Sequence, residues 1–320
     1  MRIASLSMIV RRAPLIAALP LWLLTAGCFT GVESTKRIDL SRDDKKLIAA
    51  EAEDTFLNSL EGMSLKNWKS GRPFQIADGK FVFLLDSPGR QFSPTDTSGM
   101  AGKKIFYRTT DVRHRPDGSE ETLIIFEDGE KTFSLPSGKR PDSAPSEIKS
   151  SDLPMLIDLE AVGEARRILA GKRLWIRTSL WYDSTFNHFP GRKFVPVTVL
   201  DVRPGTMVFP LLLTLEDEHG RRFMQFMNIG NGSTQSRSFA KLFRLSDPRR
   251  NYPHISDEHW SYIQNGHVSI GMTKEECRLS LGNPSFTDSG HDYSSTIDIW
   301  KYDDGTFLRF QDGILIELLK

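Results

Sequence analysis

The stretch from 266 to 320 constrains the fold more than any other part of this 320-residue chain, because it combines helix caps with closely spaced hairpin turns. Thr273 and Glu276 stand three residues apart, which is the spacing of a capping box at a helix N-terminus. Cys277 falls on the apolar face of the helix that follows, and Gly282 provides its C-terminal stop. The pattern predicts one short helix in which Cys277 is a small buried apolar residue and not a reactive thiol.

Three short apolar runs come after this helix and a polar loop. The runs cover Ile297 to Tyr302, Thr306 to Phe310 and Ile314 to Leu319. Asp304-Gly305 and Asp312-Gly313 separate them, and Asp-Gly is a strong short-range signal for a β-hairpin. We therefore expect one helix packed against a three-stranded antiparallel meander, which is a complete small α+β unit.

The order of residues in this stretch resembles the SmpA/OmlA family of outer-membrane assembly lipoproteins. The matching positions are Gly271-Met272-Thr273 with Glu276, Leu281-Gly282 with Pro284, Trp300 with Tyr302, and Phe310 with Gly313. The resemblance covers only this C-terminal stretch, and it implies a small α+β domain in the bacterial envelope, working beside outer-membrane assembly. In that family the domain lies close to its lipid anchor, whereas here it closes a much longer chain.

The N-terminus has the pattern of a bacterial lipoprotein signal. Three arginines precede an apolar run from 13 to 24, and Thr25-Ala26-Gly27 leads into Cys28. A basic start, a short apolar run and a small-residue cleavage site are typical of a secretory signal. We predict cleavage after Gly27 and lipid attachment at Cys28. Phe29 follows in place of Asp, which favours the outer membrane over the inner one. A plain signal peptide or a short membrane anchor is the alternative.

The charge balance offers no basis for binding nucleic acid. The chain has 42 Lys and Arg against 41 Asp and Glu, and the predicted signal removes three arginines and no acidic residue. The mature chain would then carry 39 basic and 41 acidic side chains. Without a basic surplus, contact with the membrane would depend on the lipid at Cys28.

Turn dipeptides punctuate strand-like runs through most of the remaining chain, which predicts an α+β, β-rich fold. The expected organisation is a signal peptide over 1–27, a lipidated tether over 28–40, an N-terminal helix and first β domain over 41–135, a linker over 136–154, a second β domain over 155–250, and a connecting helix with the SmpA/OmlA-like domain over 251–320. The two β domains are expected to be small barrels or sandwiches.

Two pairs of matching segments indicate that the β domains are related. The segment 102–109 aligns with 171–178, and 122–128 resembles 210–217. Two matched strands at similar offsets favour an internal duplication, with chance similarity between β-hairpins as the alternative. A helix over 158–169 and a loop over 183–192 distinguish the second copy.

The sequence lacks three common catalytic and phosphate-binding motifs. It has no nucleophile elbow, no phosphate-binding loop and no His-Glu-x-x-His motif. His254, His259 and His267 come nearest to a metal-binding group, but their spacing does not place them on one helix face. We therefore predict no catalytic residue, no cofactor and no metal site.

The aromatic residues between 175 and 189 are the best candidates for a binding surface. Trp181, Tyr182 and Phe186 are the candidate partner-binding residues, since such a loop can present an aromatic patch to a partner. In the strand, we expect alternate aromatic residues to belong to the core of the second β domain. For the residues of the loop, both a partner-binding surface and a place in the core remain as alternatives.

These observations favour a non-enzymatic outer-membrane lipoprotein that binds an outer-membrane or periplasmic protein as a scaffold. Whether it faces the periplasm or the cell surface is left open. The alternative is a ligand-binding or hydrolytic envelope protein with a site between the second β domain and the C-terminal domain, which would require a deep pocket with converging titratable groups. A third hypothesis is a secreted inhibitor, which a mature form without lipid would favour.

Overall fold

The computed structural model describes residues 56–57, 60, 62–77, 84–85, 100–153, 155–229, 236–292 and 294–320. The predicted signal peptide, the lipid site at Cys28 and the tether lie outside these residues, as does most of the expected N-terminal helix. The protein is α+β and strand-rich, as the sequence predicts.

The described elements are short and mostly strands. The strands are β1 (Pro73–Ile76), β2 (Leu84–Leu85), β3 (Lys104–His114), β4 (Glu120–Glu127), β5 (Thr132–Pro136), β6 (Leu156–Asp158), β7 (Arg173–Ile176), β8 (Leu180–Tyr182), β9 (His188–Pro190), β10 (Val195–Pro204), β11 (Leu211–Asp217), β12 (Arg222–Met227), β13 (Phe243–Arg244), β14 (Phe286–Asp292), β15 (Ser295–Lys301), β16 (Phe307–Gln311) and β17 (Ile314–Leu319). The helices are α1 (Ala144–Glu147), α2 (Leu159–Leu169), α3 (Phe239–Leu242), α4 (Asp257–Gln264) and α5 (Lys274–Leu281), with 3-10 turns at Leu65–Asn67, Ser150–Asp152 and Pro248–Asn251.

The strands form three antiparallel sheets, and the first two repeat one topology. The first sheet has the order β2-β5-β4-β3-β1-β6, and the second has β9-β8-β12-β11-β10-β7-β13. Without the edge strand β9, each sheet has six strands. From one edge to the other, both sheets have the second, fifth, fourth, third, first and sixth of their strands along the chain. A register shift also occurs at the matching place, between Tyr107 and Thr109 in β3 and between Val199 and Asp201 in β10.

This topology corrects part of the alignment that the sequence predicts. The match of 122–128 with 210–217 pairs β4 with β11, which occupy equivalent positions. The match of 102–109 with 171–178 pairs β3 with β7, which do not, because β7 corresponds to β1 and β3 corresponds to β10. Both segments are Gly-Lys turns leading into an apolar strand, and that local chemistry is the same at any position in a sheet.

The segment expected to be a linker, 136–154, contributes to a core in the structure. It contains α1, and Ala144, Ile148 and Leu153 are buried among the apolar residues of the first sheet. Three apolar side chains are too few to show a periodic pattern in a stretch rich in Pro, Ser and Lys, so composition alone does not reveal this packing.

The helix α2 lies where the first two sheets meet. Asp158 caps it by accepting hydrogen bonds from the N–H groups of Glu160 at 3.0 Å and Ala161 at 3.3 Å, which confirms the helix expected over 158–169. Val162 and Leu169 are buried in the core of the second sheet, while β6, immediately before the helix, pairs with β1 of the first.

The C-terminal region contains the predicted helix, but its sheet has four strands and not three. The capping box forms at α5, where Thr273 Oγ1 accepts from the Glu276 N–H at 3.2 Å. The expected polar loop is instead β14, which pairs along its length with β15. An edge strand with one open face has no need for alternating apolar residues, so β14 lacks the usual strand pattern.

Trp260 of α4 joins the C-terminal region to the second sheet. Its ring stacks on that of Phe194 with centroids 5.6 Å apart, and both belong to the packing around Ile263. Arg192 Nη2 donates to Gln264 Oε1 at 2.5 Å, and Lys193 Nζ donates to the Ser280 carbonyl. These contacts hold α4 and α5 against the loop that precedes β10.

Candidate protein-binding surface

The loop expected over 183–192 folds back as the hairpin β8–β9, and Phe186 lies at its tip. Asp183 Oδ1 holds the tip together by accepting from the Thr185 hydroxyl at 2.7 Å, the Thr185 N–H at 2.8 Å and the Asn187 N–H at 3.0 Å. These hydrogen bonds, that from the Thr185 hydroxyl above all, lower the pKa of Asp183, because they stabilise its ionised form. Phe186 has a φ of 66° and is 52 % exposed. The hairpin therefore presents an aromatic side chain on an ordered turn.

Trp181 is not a surface residue, although the sequence makes it a candidate. It is fully buried, and its ring stacks on that of Phe223 with centroids 3.8 Å apart and 6° between the ring planes. Its Nε1 donates to the Thr178 carbonyl at 3.0 Å. Successive strand residues point to opposite faces, so Trp181 belongs to the core while Tyr182 points away from it.

On the outer face, four rings and one guanidinium contact one another in what we name the aromatic–arginine cluster. Its members are Tyr182, Phe186, Phe209, Phe226 and Arg237. The Phe226 ring lies 5.3 Å from Tyr182 and 5.6 Å from Phe186, and the Arg237 guanidinium lies 5.3 Å from the rings of both Tyr182 and Phe209. Two of the three residues that the sequence singled out therefore lie in one cluster.

Arg237 is held rigidly at the centre of this cluster. Its Nε donates to the Phe226 carbonyl at 2.9 Å and its Nη1 to the Tyr182 hydroxyl at 3.4 Å. With the Gln225 amide assigned so that its oxygen faces the guanidinium, Nη2 donates to that oxygen at 2.8 Å. Burial lowers the pKa of Arg237, yet the group stays cationic at neutral pH. Among the described residues no carboxylate forms an ion pair with Arg237. Its charge is therefore available to an acidic group on a partner.

Exposed aliphatic residues extend this surface beyond the rings. Met207 is 47 % exposed and Val208 is 57 % exposed, and both directly precede Phe209. A turn in which the Thr206 N–H donates to the Phe209 carbonyl at 2.8 Å fixes this loop. The sequence does not reveal these members of the surface, because 182, 207–209, 226 and 237 come together only through strand pairing.

At the junction where the alternative hypothesis expects a pocket, the Phe194 and Trp260 rings stack and Lys193 Nζ donates to the Ser280 carbonyl. A cavity of about 290 Å³ lies between the first sheet and α2. Its Arg72 is buried and forms an ion pair with the buried Asp158 at 2.6 Å and a second with Glu160. Pairing with carboxylates is the ordinary way in which a buried cation such as the Arg72 guanidinium is compensated.

The candidate metal and thiol residues have structural partners. His254 Nε2 lies 3.0 Å from Glu275, and His259 Nδ1 lies 2.9 Å from Glu276. In the parts of the chain that the structure describes, no group of three or more His, Cys, Asp or Glu residues could hold a metal ion. Burial, and then the nearby Glu276 charge, raises the pKa of Cys277 to about 12, so this thiol stays protonated at neutral pH.

Comparisons with protein-family models, curated proteins and solved structures each give no significant match to this chain. The described helices include none that is long and apolar enough to cross a membrane.

Proposed function

We propose that this protein is a non-enzymatic outer-membrane lipoprotein that binds another envelope protein and acts as a scaffold, in the setting of envelope or outer-membrane assembly. The aromatic–arginine cluster is the observation that carries the proposal. Under it, lipid on Cys28 holds the chain at the membrane, and the cluster contacts an outer-membrane or periplasmic partner.

The composition of the cluster is that of the energetic centre of a protein interface. Aromatic residues and Arg are enriched in interface cores, and they dominate the residues whose truncation weakens binding most. Here, Phe186 is on a turn held by Asp183, and Arg237 is fixed by three hydrogen bonds. A partner would therefore immobilise few additional rotamers on binding, which favours affinity. The chemistry predicts a partner surface with an apolar groove beside a carboxylate.

The envelope setting comes from the sequence. The Cys28 signal and the resemblance of the C-terminal stretch to the SmpA/OmlA family both favour it. The capping box at Thr273 and the paired strands β15 to β17 support a small α+β unit of the kind that the resemblance implies. The shared strand order of the first two sheets favours two related β domains that arose by duplication. We infer that the duplicated sheets form the binding part and that the C-terminal domain completes the scaffold.

Affinity purification tests this function most directly. The tagged full-length protein would be recovered from detergent-solubilised envelopes of its own host, and co-purifying proteins identified by mass spectrometry. We expect a specific envelope protein to be recovered with the parent chain. Phe186→Ser and Arg237→Gln should each reduce its recovery about tenfold or more, because truncation of an interface anchor costs about 2 kcal/mol.

Phe286→Ser is the matched control, because Phe286 is also 52 % exposed and lies on β14, in a different sheet. It should leave partner recovery unchanged. Cys28→Ala tests the anchor separately, and it should move the protein out of the membrane fraction. Equal recovery from the parent and the Phe186 and Arg237 variants would exclude this cluster as the binding surface.

A further inference from the structure

The third sheet ends at an open strand, β14, which lies in a different sheet from the aromatic–arginine cluster. β14 pairs with β15 from Phe286 to Asp292 without a register shift, and no described strand pairs with its other side. Every residue from 286 to 291 is exposed. An edge strand of seven residues with no bulge and no proline is a template to which an extended segment can add.

Three residues of β14 direct their backbone groups away from β15. Thr296 lies opposite His291, and its carbonyl accepts from the Asp312 N–H while its own N–H donates to Asp312 Oδ1, both at 2.9 Å. The backbone of Thr296 therefore faces away from β14, and His291 is a non-hydrogen-bonded residue of this ladder. Because the pattern alternates, the N–H and C=O groups of Thr287 and Ser289 also point outward.

These outward groups have few partners in the part of the chain that the structure describes. The Ser289 N–H donates to Asp288 Oδ1 at 3.0 Å. The N–H and C=O groups of Thr287 and His291 form no backbone hydrogen bond with any described residue. Three residues spaced two apart can form the ladder of an added strand, and the Asp288 side chain competes with it at one amide.

The helix α5 borders this open edge on one face of the sheet. Lys274, in its first turn, forms an ion pair with Asp298 of β15. One turn later, the Arg278 guanidinium lies 4.6 Å from the centre of the Trp300 ring, and Trp300 is opposite Thr287 on the same face. Arg278 is exposed, and among the described residues no carboxylate forms an ion pair with it. The flank of α5 beside β14 therefore carries a cation that is available to an acidic group.

We propose that β14 binds an extended acidic peptide, which adds to the edge as a fifth strand. Peptide residues opposite Thr287, Ser289 and His291 exchange backbone hydrogen bonds with the edge, and their side chains lie on the face that α5 covers. Neighbouring strands are about 4.8 Å apart, so a carboxylate opposite Thr287 comes within reach of the Arg278 guanidinium. The ladder supplies affinity, and the ion pair selects an acidic residue. The Phe286 ring points to the other face and takes no part.

Fluorescence anisotropy with the full-length protein in detergent tests the proposal. The probe is a labelled peptide of the same length as β14 that alternates valine and glutamate and has both termini blocked. We expect saturable binding, and binding about tenfold weaker or less for a matched peptide with lysine in place of glutamate. N-methylation of the glutamate nitrogens should abolish binding, because these N–H groups face the edge. N-methylation of the valine nitrogens should leave binding in place.

Four variants separate this edge from the fold. Arg278→Gln should weaken binding about tenfold, while Arg309→Gln, on the opposite face of the sheet, should bind like the parent. Thr287→Pro should weaken binding about tenfold or more and keep the melting temperature, because its N–H is not part of the β14–β15 ladder. Asp288→Ala should strengthen binding about threefold, because it frees the Ser289 N–H. Tighter binding in a variant cannot result from misfolding.

Absence of binding by the glutamate peptide, equal binding by the lysine peptide, or binding of the peptide with methylated glutamates would each overturn the proposal. Sedimentation velocity of the protein alone tests the competing occupant. A concentration-dependent dimer that is lost in Thr287→Pro would show that a second copy of the chain occupies the edge, and it would overturn the peptide proposal. The outcome is independent of the purification described above, which tests the cluster around Arg237.

Discussion

At the scale of single residues, Glu276 shows how one side chain serves both local and tertiary structure. Its Oε2 accepts from the Thr273 N–H at 2.6 Å and from the Thr273 hydroxyl at 3.0 Å, while its Oε1 lies 2.9 Å from His259 Nδ1 of α4. Burial raises the pKa of this carboxyl, but the hydrogen bonds from Thr273 and His259 outweigh burial and lower it overall. The capping role can be read from the sequence, whereas the contact with α4 cannot.

Glu276→Gln should destabilise the C-terminal region at neutral pH and make its stability less sensitive to acid. Because the pKa of Glu276 is lower in the folded chain than its ordinary value of 4.5, its ionisation stabilises the fold above that pH. This contribution is lost as the pH falls through the folded-state pKa. Thermal melts from pH 7 to pH 3 should show the parent losing stability below about pH 4.5. The Gln variant should lose less over the same interval.

The matched control is Glu275→Gln, which removes the neighbouring carboxylate that pairs with His254 at a more exposed position. It should keep the acid dependence of the parent. Parallel pH curves for the parent and the Glu276 variant would contradict the assignment of this stability to Glu276.

At the scale of elements, the hairpin β8–β9 depends on the close packing of the Gly191 backbone against the Trp181 ring. A Cβ atom added at Gly191 would lie 2.1 Å from the Trp181 indole, so this position tolerates no side chain without movement. The same ring is stacked on Phe223, and Arg221 lies over it at 4.8 Å. The close contact therefore positions the hairpin that carries Phe186.

Gly191→Ala should destabilise the protein by about 1–3 kcal/mol, which is the usual cost of overpacking a filled site. The comparison is Gly163→Ala in α2, where an added Cβ would meet nothing within 4 Å. That second change should stabilise the helix by about 0.5–1 kcal/mol. Denaturant unfolding of both variants measures the two effects. A loss of stability of the same size in both would show that the ring contact is not the cause.

At the scale of the whole molecule, the second sheet and the C-terminal region are joined by specific packing and not by a flexible connection. The Phe194 ring stacks on Trp260, and the Lys193 N–H donates to the Gln264 carbonyl at 2.8 Å. Burial lowers the pKa of Lys193, whose Nζ donates to the Ser280 carbonyl. These contacts predict that the two parts unfold together.

Phe194→Ala should separate the unfolding of the C-terminal region from that of the second sheet. Loss of a half-buried ring and its stacking contact is expected to cost about 1–3 kcal/mol. Differential scanning calorimetry should show one transition in the parent and a second transition at lower temperature in the variant. Phe286→Ala, at an exposed ring of the same region, is the control and should keep the parent profile. A single unshifted transition in the Phe194 variant would contradict the coupling.

The sequence by itself determined the local elements. The capping box at Thr273, the helix α2 that begins at Asp158, and the strands β15, β16 and β17 all follow from residues close to one another in the chain. Caps, turns and apolar periodicity are short-range, so the residues that specify them are visible in a window of a few positions.

Only the tertiary structure decided which strands are equivalent and that Trp181 is buried while Phe186 is exposed. It also decided that Phe209, Phe226 and Arg237 join Tyr182 and Phe186 in one cluster. Strand pairing brings together residues far apart in the chain, and a sheet's two faces are distinguished only by what packs on each. Burial of Ile148 in a stretch that resembles a linker has the same cause. The candidate surface could therefore be found only once the sheets were assembled.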